Sequence, residues 1–358
     1  MRAAILQNSI GIGGRSKVLA EAIPVLESEF GSIDILTLSA KSNQQRFLSH
    51  YGINKEAVNI ISYPASDILG TIYQQPFLNF LSRNKLCEYD LVFNSNNCIQ
   101  FLPDKTKYIH YIHFPGPAIP GVDPKYKKWS YRILVWPFRG LSSITDLSIS
   151  GNIFANSKYT KRYVEKTYDN YDVDVLYPPA LRSAEFNGYS GNGVVSLGSF
   201  HPNKRQLFQL KIAKEYPDTK FRIIGSKVSE RYFKKCLSYI HNNELKNVTL
   251  YPDATEERVT ELLEESRIFL HTMKNEKFGI ATVEALNHGC VPIVHNSGGQ
   301  QEIVPDPVFR FNSQYECMGA INEAMSGAIP DIPNVTSHLS QYTEKRFKDR
   351  LRVCINHI

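Results

Sequence analysis

The chain has 358 residues, of which 42% are hydrophobic and 21% charged, and its formal net charge is +6. This length is enough for two domains with cores, and the ordinary glycine and proline content excludes a fibrous protein or a long disordered segment. No run approaches the roughly 18 to 20 apolar residues that span a bilayer, and the N-terminus lacks a signal-peptide pattern, so we expect a cytoplasmic protein. The positive charge favours an acidic partner without choosing among nucleotide, phospholipid and nucleic acid.

The N-terminal half begins with a βαβ pattern. Residues 3–6 predict a strand, Gly11-Ile12-Gly13-Gly14 precedes a helical pattern, and a second strand is predicted at 33–38. Ser16 occupies the sixth position of the glycine pattern and no acid ends the second strand, which excludes a nicotinamide dinucleotide site. Further strands are predicted at 91–93, 108–113 and 153–156.

Residues 177–179 and 187–193 are rich in Pro, Gly and polar residues and predict a linker, after which the strand and helix pattern restarts. We predict an α/β protein with two doubly wound Rossmann-like domains that face a cleft, in which ligands bind. The amphipathic segment 343–354 is predicted to be a helix that docks on the N-terminal domain. The predicted domains are 1–184 for the acceptor, 185–340 for the donor, and 341–358 for the docking helix.

In the second domain, strands are predicted at 194–197, 221–224, 248–251 and 268–271, with helices at 206–215 and 256–264. A loop then leads into a helix with Glu276 before it and Glu284 about two turns inside. Because helical side chains lean toward the N-terminus, both acids can face one ligand. The alternative is an ordinary amphipathic helix with one capping and one solvated glutamate.

The same helix N-terminus favours an anion, since the amides near Phe278, Gly279 and Ile280 have no partner in the first turn. An anion beside two acids is explained by a nucleotide sugar. Its diphosphate suits the amides, and its sugar and ribose hydroxyls suit the carboxylates.

These segments resemble the retaining nucleotide-sugar transferases of glycosyltransferase family 4, which have the two-domain GT-B fold. The strings that carry the resemblance are Glu276-Lys277-Phe278-Gly279, Val283-Glu284-Ala285-Leu286 and Gly298-Gly299-Gln300-Gln301-Glu302. Tyr111-Ile112-His113-Phe114-Pro115 and His295-Asn296-Ser297 are most similar to the cytosolic-face α-1,2-mannosyltransferases that extend lipid-linked oligosaccharides.

The resemblance implies that Glu276 contacts the donor sugar, Glu284 the ribose, and Lys204 the diphosphate, with Lys204 otherwise a solvated loop lysine. The family usually has Arg where this chain has Ser199, so either Arg205 or His201 replaces that cation, or both are ordinary surface residues and donor affinity is reduced.

Three further donor-site assignments rest on the resemblance. Gly13 and Gly14 would approach the diphosphate, or form a plain tight turn. Backbone near Gly225 would contact the base, and His113 would lie near the transferred sugar or be an ordinary core histidine. Catalysis is thus assigned to Glu276, Lys204 and His113.

No metal is expected. Asp172-Val173-Asp174 matches the metal-binding motif of a different transferase fold, but it continues into a strand, so its acids should face solvent. No His, Cys or carboxylate group has metal-ligand spacing.

Residues 125–139, which precede the linker, are rich in basic and aromatic residues and resemble an interfacial membrane segment. A buried helix with a charged outer face is the alternative, and a nucleic-acid groove is disfavoured because no such module is visible. The residues assigned to the membrane or acceptor are Lys127, Lys128, Trp129, Arg132 and Trp136.

The sequence therefore predicts a retaining glycosyltransferase that moves a hexose, mannose first, from a nucleotide sugar to a lipid-linked or other glycan at the cytoplasmic membrane face. GDP-mannose is the first donor expected and a UDP-sugar the second. The alternatives are a nucleotide-sugar 2-epimerase, a soluble glucosyltransferase of the same fold, and a catalytically silent donor-binding protein.

Overall fold

The computed structural model describes residues 1–64, 70–97, 99, 101–115, 151–168 and 171–357. The chain divides into two units by its internal contacts. The first unit is Met1–Pro179 together with Glu344–Ile358, and the second is Ala180–Thr343.

The first unit contains a parallel sheet of seven strands among the described residues, in the order β3-β2-β1-β4-β5-β6-β7. The strands are β1 (Ala3–Leu6), β2 (Ile33–Thr37), β3 (Val58–Ser62), β4 (Leu91–Asn94), β5 (Lys107–Ile112), β6 (Gly151–Ala155) and β7 (Val173–Val175). The helices are α1 (Gly14–Phe30), α2 (Lys41–His50), α3 (Gly70–Leu86) and α4 (Lys158–Thr167).

Both faces of this sheet are covered, as expected for a parallel sheet. All four residues of β1 are buried, because Ile5 packs into the cluster on one face and Leu6 into the cluster on the other. Continuous apolar strands of this kind are what the sequence pattern predicts, and they explain why the strand predictions held.

The second unit contains a parallel sheet of six strands in the order β10-β9-β8-β11-β12-β13. The strands are β8 (Val194–Leu197), β9 (Phe221–Gly225), β10 (Val248–Pro252), β11 (Ile268–His271), β12 (Val291–His295) and β13 (Arg310–Phe311). The helices are α5 (Gln206–Lys214), α6 (Glu230–Asn242), α7 (Glu256–Glu264), α8 (Ile280–Asn287), α9 (Gln300–Ile303), α10 (Gln314–Met325) and α11 (Val335–Ser340).

The last helix, α12 (Glu344–Asn356), belongs to the first unit although the second unit precedes it in the chain. Phe347 and Leu351 are buried in the cluster that contains α1, and the Phe347 ring contacts Tyr111 edge-on. Lys348 Nζ lies 2.6 Å from Glu21 Oε2 on α1. The predicted docking of this helix on the N-terminal domain is therefore confirmed.

Each strand order reverses at one point, between β1 and β4 in the first unit and between β8 and β11 in the second. In open parallel sheets, ligands bind beyond the carboxyl ends of the strands at such a switch point, because the loops leave in opposite directions there and open a crevice. These two places are where functional side chains are to be sought.

Candidate functional site

The switch point of the second unit is built from the turn after β8. An added Cβ on Gly225 would lie 2.1 Å from the Gly198 carbonyl oxygen, so the end of β9 approaches this turn in a way that only glycine permits. Gln206 Nε2 donates to the carbonyls of Gly198 and Ser199 at 3.1 and 2.9 Å. Together these contacts fix the loop that carries Lys204.

Lys204 and Glu276 form an ion pair at this point. Lys204 Nζ lies 2.6 Å from Glu276 Oε2, and the two side chains are 27% and 15% exposed. Thr272, directly after β11, donates through Oγ1 to the Lys204 carbonyl at 2.7 Å, which ties the lysine loop to the neighbouring strand end. Two of the three predicted catalytic residues are thus in direct contact.

Glu276 is held as a carboxylate. Burial raises the pKa of its carboxyl group, but the charge of Lys204 and the contacts with Lys204 and His271 together more than offset this, so the pKa lies far below its ordinary value. His271 Nε2 lies 3.4 Å from Glu276 Oε2, and burial lowers the pKa of His271. The site therefore contains an anion, a cation and a neutral imidazole at neutral pH.

The Glu276 backbone is fixed by the glycine loop after β12. Glu276 forms a parallel bridge with Gly298, and the Gly299 amide donates to the Glu276 carbonyl at 2.8 Å. Gly298 has φ +79°, and an added Cβ there would lie 2.1 Å from that same carbonyl oxygen. The two glycines allow this loop to pass directly over Glu276.

Helix α8 begins beside this pair. Its N-cap is Gly279, with φ 119°, where a side chain would collide with Gln300. Gln300 is fully buried, and its Nε2 and Oε1 have no hydrogen-bond partner among the described residues. The helix N-terminus thus places its first-turn amides next to an ion pair and an unsatisfied amide side chain.

The remaining predicted donor residues of this unit have diverse surroundings. The Arg205 guanidinium donates to the Thr272 carbonyl at 2.9 Å and lies over the Phe208 ring, so its visible role is to hold the loop. His201 Nδ1 accepts from the Asn203 amide as a helix cap. The assignment of either residue to the diphosphate stays a prediction.

Phe278, Ile280 and Glu284 lie at the helix as expected. The Phe278 side chain is buried against Tyr342, so only its backbone is suited to meet a ligand. Ile280 and Glu284 are half-buried on α8. The ribose contact assigned to Glu284 stays a prediction.

In the first unit, Gly13 is the N-cap of α1 with φ 135°, and Gly14 is the first helical residue. The Gly13 amide and carbonyl both bond the Tyr51 hydroxyl, at 3.2 and 3.1 Å. His113 follows β5, is 8% exposed, and contacts Ser95 Oγ through Nε2 at 3.0 Å. Burial lowers the pKa of His113 well below its ordinary value.

The residues assigned to the membrane or acceptor, namely Lys127, Lys128, Trp129, Arg132 and Trp136, lie outside the described residues. Within the described ranges, no helix is long and apolar enough to cross a membrane. The same ranges contain no group of three His, Cys, Asp or Glu side chains arranged to hold a metal ion.

Sequence reasoning missed His271, Thr272 and Gln300. The first two end or follow β11, and the sheet order that makes this strand the neighbour of β8 is not visible along the chain. A search of the last residue of each predicted parallel strand and the residue after it would have found them. Gln300 lies in one of the strings that carry the family resemblance, but the sequence assigned it no role.

Comparison with known families addresses the second unit directly. The family model described as "Glycosyl transferases group 1" matches residues 186–345. Residues 186–345 therefore resemble a group 1 glycosyl transferase, and we refer to them as the group 1 domain. Both the Lys204–Glu276 ion pair and the N-terminus of α8 lie within the group 1 domain.

Two curated relatives extend the similarity beyond the group 1 domain. The GDP-Man:Man(3)GlcNAc(2)-PP-Dol alpha-1,2-mannosyltransferase of Dictyostelium discoideum is 24% identical over 229 residues, which cover 57% of this chain and 44% of that protein. The alpha-1,3/1,6-mannosyltransferase ALG2 of Kluyveromyces lactis is 26% identical over an alignment of 364 residues, covering 85% of this chain and 71% of that protein. The chain spans less than half of the length of the first two α-1,2-mannosyltransferases that it matches.

A solved structure supports the fold of the whole chain. Anabaena HepE, in complex with UDP and glucose, is similar with a TM-score of 0.73 at 15% identity, and the match covers 100% of both chains. At this identity the likeness concerns the fold alone. The predicted α/β architecture of two Rossmann-like units, as in the GT-B transferases, is confirmed.

Proposed function

We propose that this protein is a retaining glycosyltransferase that moves a hexosyl group from a nucleotide sugar to an acceptor hydroxyl. The observation that carries the proposal is the Lys204–Glu276 ion pair, 2.6 Å long, at the switch point of the group 1 domain and beside the N-terminus of α8. A cation and helix amides suit a diphosphate, while a carboxylate suits sugar hydroxyls.

Mannose is the proposed sugar, with GDP-mannose as the first donor and a UDP-sugar as the second. A lipid-linked oligosaccharide is the proposed acceptor. This choice is supported by the names of the Dictyostelium discoideum and Kluyveromyces lactis relatives and by the strings around His113 and His295.

The roles follow from the protonation states. Because Glu276 stays ionised, it cannot serve as a general acid, and its proposed role is to accept hydrogen bonds from the donor sugar. Lys204 offsets the negative charge that grows on the leaving diphosphate. The bond from the anomeric carbon to the diphosphate oxygen breaks and the bond to the acceptor oxygen forms on the same face. The acceptor's proton passes to the leaving phosphate, so no protein nucleophile or metal ion takes part in the proposed step.

Peripheral binding to the cytoplasmic membrane face is part of the proposal. It is supported by the sequence 125–139, which combines basic residues with both tryptophans of the chain. A lipid-linked acceptor lies at such a surface. We therefore expect the protein to migrate with acceptor-bearing vesicles in a liposome flotation experiment.

The proposal is tested by incubating the protein with GDP-mannose, with UDP-sugars and with a lipid-linked oligosaccharide in vesicles, followed by mass analysis of the product. Glu276→Gln should lower kcat by roughly 100-fold or more, because the hydroxyl contact strengthens in the transition state. Binding of GDP should persist in this variant, since the substitution removes the competing partner of Lys204.

Glu230→Gln is the matched control, because Glu230 is exposed on α6 of the same unit. It should retain full turnover. Normal turnover by Glu276→Gln would refute the site, and formation of an altered nucleotide sugar without any acceptor would indicate an epimerase instead.

A further inference from the structure

The residue before Glu276 has an unusual backbone conformation. Asn275 has φ 53°, in the left-handed region that residues other than glycine rarely adopt, although asparagine tolerates it better than most. Such a conformation persists only where the surrounding groups hold it in place. Because the backbone of Asn275 leads directly into Glu276, a change in its conformation would move the Glu276 carboxylate.

The Asn275 backbone is bonded to the side chain of Ser297. The Asn275 amide donates to Ser297 Oγ at 2.8 Å, and Ser297 directly precedes Gly298, which bridges Glu276. On the other side of Glu276, its carbonyl accepts from the Gly299 amide at 2.8 Å. The glycine loop therefore fixes the backbone both before and after the Glu276 side chain.

The Ser297 hydroxyl also contacts His295. This histidine ends β12, is 6% exposed, and its Nδ1 lies 2.9 Å from Ser297 Oγ. Its ring packs edge-on against Phe311, with 5.5 Å between the ring centroids. Burial lowers the pKa of His295 to about 4, so the imidazole is neutral at neutral pH and can accept the hydroxyl hydrogen at Nδ1. The lone pairs of Ser297 Oγ are then available to the Asn275 amide.

The Glu276 carboxylate is sensitive to its backbone because its two oxygens have separate partners. Oε1 accepts from the Lys277 amide at 3.0 Å. Oε2 lies 2.6 Å from Lys204 Nζ and 3.4 Å from His271 Nε2. A rotation of the backbone at Asn275 cannot keep all three contacts. Since a displacement of about 1 Å can cost about 100-fold in rate, the support of this carboxylate should matter for turnover.

We propose that Ser297, oriented by His295, is a positioning residue that holds Asn275 in its left-handed conformation and thereby directs the Glu276 carboxylate toward the donor sugar. What Glu276 binds is taken from the proposed function, whereas its support by Ser297 rests on the distances within the second unit. Neither Ser297 nor His295 needs to touch a substrate in this role.

Ser297→Ala tests the proposal by the kinetics of sugar transfer. It should lower kcat by about 10- to 100-fold, because the carboxylate is displaced. The Kd of GDP or UDP, whichever binds the wild type, should stay within about twofold, since Thr272 holds the Lys204 loop independently. Ser297→Thr keeps the hydroxyl and should retain kcat within about threefold. Ser238→Ala is the matched control, because it removes an exposed hydroxyl from α6 of the same unit and should change neither value.

A double-mutant cycle separates positioning from a general loss of structure. If Ser297 acts through Glu276, Ser297→Ala should change kcat by less than about twofold in a Glu276→Gln background, because the carboxylate is already absent. A merely structural defect would lower kcat by the same factor in both backgrounds. Equal factors would therefore overturn the proposal.

The part played by His295 is tested by a pair of variants. His295→Leu removes the nitrogen beside Ser297 and fills a similar volume, so kcat should fall by about 2- to 10-fold, as expected for the loss of one hydrogen bond. His295→Asn places a polar amide near the position of Nδ1 and should restore kcat toward the wild-type value. Equal rates in the two variants would overturn the orientation of Ser297 by His295.

A measurement without turnover distinguishes failure of this role from failure of the proposed function. NMR of protein isotope-labelled at the glutamate carboxyl carbons reports the pKa of Glu276, whose signal is the one missing in Glu276→Gln. This signal should not titrate between about pH 7 and pH 4 in the wild type. In Ser297→Ala its pKa should rise toward the ordinary value, because the contacts with Lys204 and His271 weaken.

An unchanged pKa of Glu276 in Ser297→Ala would overturn the positioning role, whereas a wild type that transfers no sugar would refute only the proposed function. Should Ser297→Ala not fold, Ser297→Cys serves in both measurements. Its thiol has a similar shape but is a weak hydrogen-bond partner, so the same loss of kcat and rise in the pKa of Glu276 are expected.

Discussion

At the scale of single residues, the protonation state of Glu276 decides what the site can do. A carboxylate buried beside Lys204 and the neutral His271 is a hydrogen-bond acceptor and not a proton donor. His295, which ends β12, is also neutral at neutral pH. Burial lowers its pKa to about 4, helped by the charges of Lys274 and Arg205. The described site is thus built for binding and charge stabilisation.

The depressed pKa of Glu276 predicts a pH-dependent stability. Its folded pKa lies below the unfolded value of about 4.3, so the stabilisation is complete above about pH 5 and is lost as the pH falls through the two values. Glu276→Gln should therefore lower the free energy of unfolding at pH 7 by about 1–3 kcal/mol. The difference from wild type should shrink toward pH 3.5, as measured by urea unfolding. A difference that grows on acidification would contradict this assignment.

At the level of the elements, two glycines allow the loop between β12 and α9 to lie against the backbone of the loop that precedes α8. Gly298 bridges Glu276 with φ +79°, and the Gly299 amide bonds the Glu276 carbonyl. The position of the Glu276 carboxylate therefore depends on a backbone contact 22 residues further along the chain than Glu276, as the Gly298 bridge shows.

Gly298→Ala should destabilise the second unit and displace Glu276. A Cβ at 2.1 Å from the Glu276 carbonyl oxygen, together with the positive φ, should cost about 2–4 kcal/mol. Gly319→Ala is the matched control, because an added Cβ there meets nothing and α10 gains about 0.5–1 kcal/mol of helix propensity. Chemical denaturation measures both, and equal stability of the two variants would show that the Gly298 contact is not required.

At the scale of the whole molecule, the chain returns to its first unit after completing the second. Helix α12 contributes Phe347 and Leu351 to the core beside α1, although more than 300 residues separate them from α1 in the sequence. The stability of the first unit therefore depends on the C-terminal residues.

Leu351→Ala should lower the free energy of unfolding by about 2–5 kcal/mol, because a fully buried side chain leaves a cavity. Val353→Ala, on the same helix but 57% exposed, should change it by less than about 0.5 kcal/mol. Differential scanning calorimetry should show that Leu351→Ala shifts the transition of the first unit and leaves that of the second. A shift of the second transition alone would contradict the assignment of α12.

Two of the elements that sequence reasoning missed have weak apolar patterns. Helix α2 buries only Phe47, and β3 at the sheet edge reads Val-Asn-Ile-Ile-Ser with partial burial, so neither shows the periodicity that marks α1 or β1. The buried strands and the α8 junction were predicted because burial forces long apolar runs and a helix N-terminus requires a glycine or polar start. Local patterns record local burial, and partly exposed elements leave little trace.

Two βα-repeating units, a glutamate-flanked helix and a basic loop residue can be read from the sequence, since each depends on periodicity or spacing within a few tens of residues. The pairing of Lys204 with Glu276 and the position of His271 beside them follow from the tertiary fold alone. The physical reason is that strand order, not sequence order, sets which loops meet at a switch point. Charge and protonation there depend on neighbours that are distant along the chain.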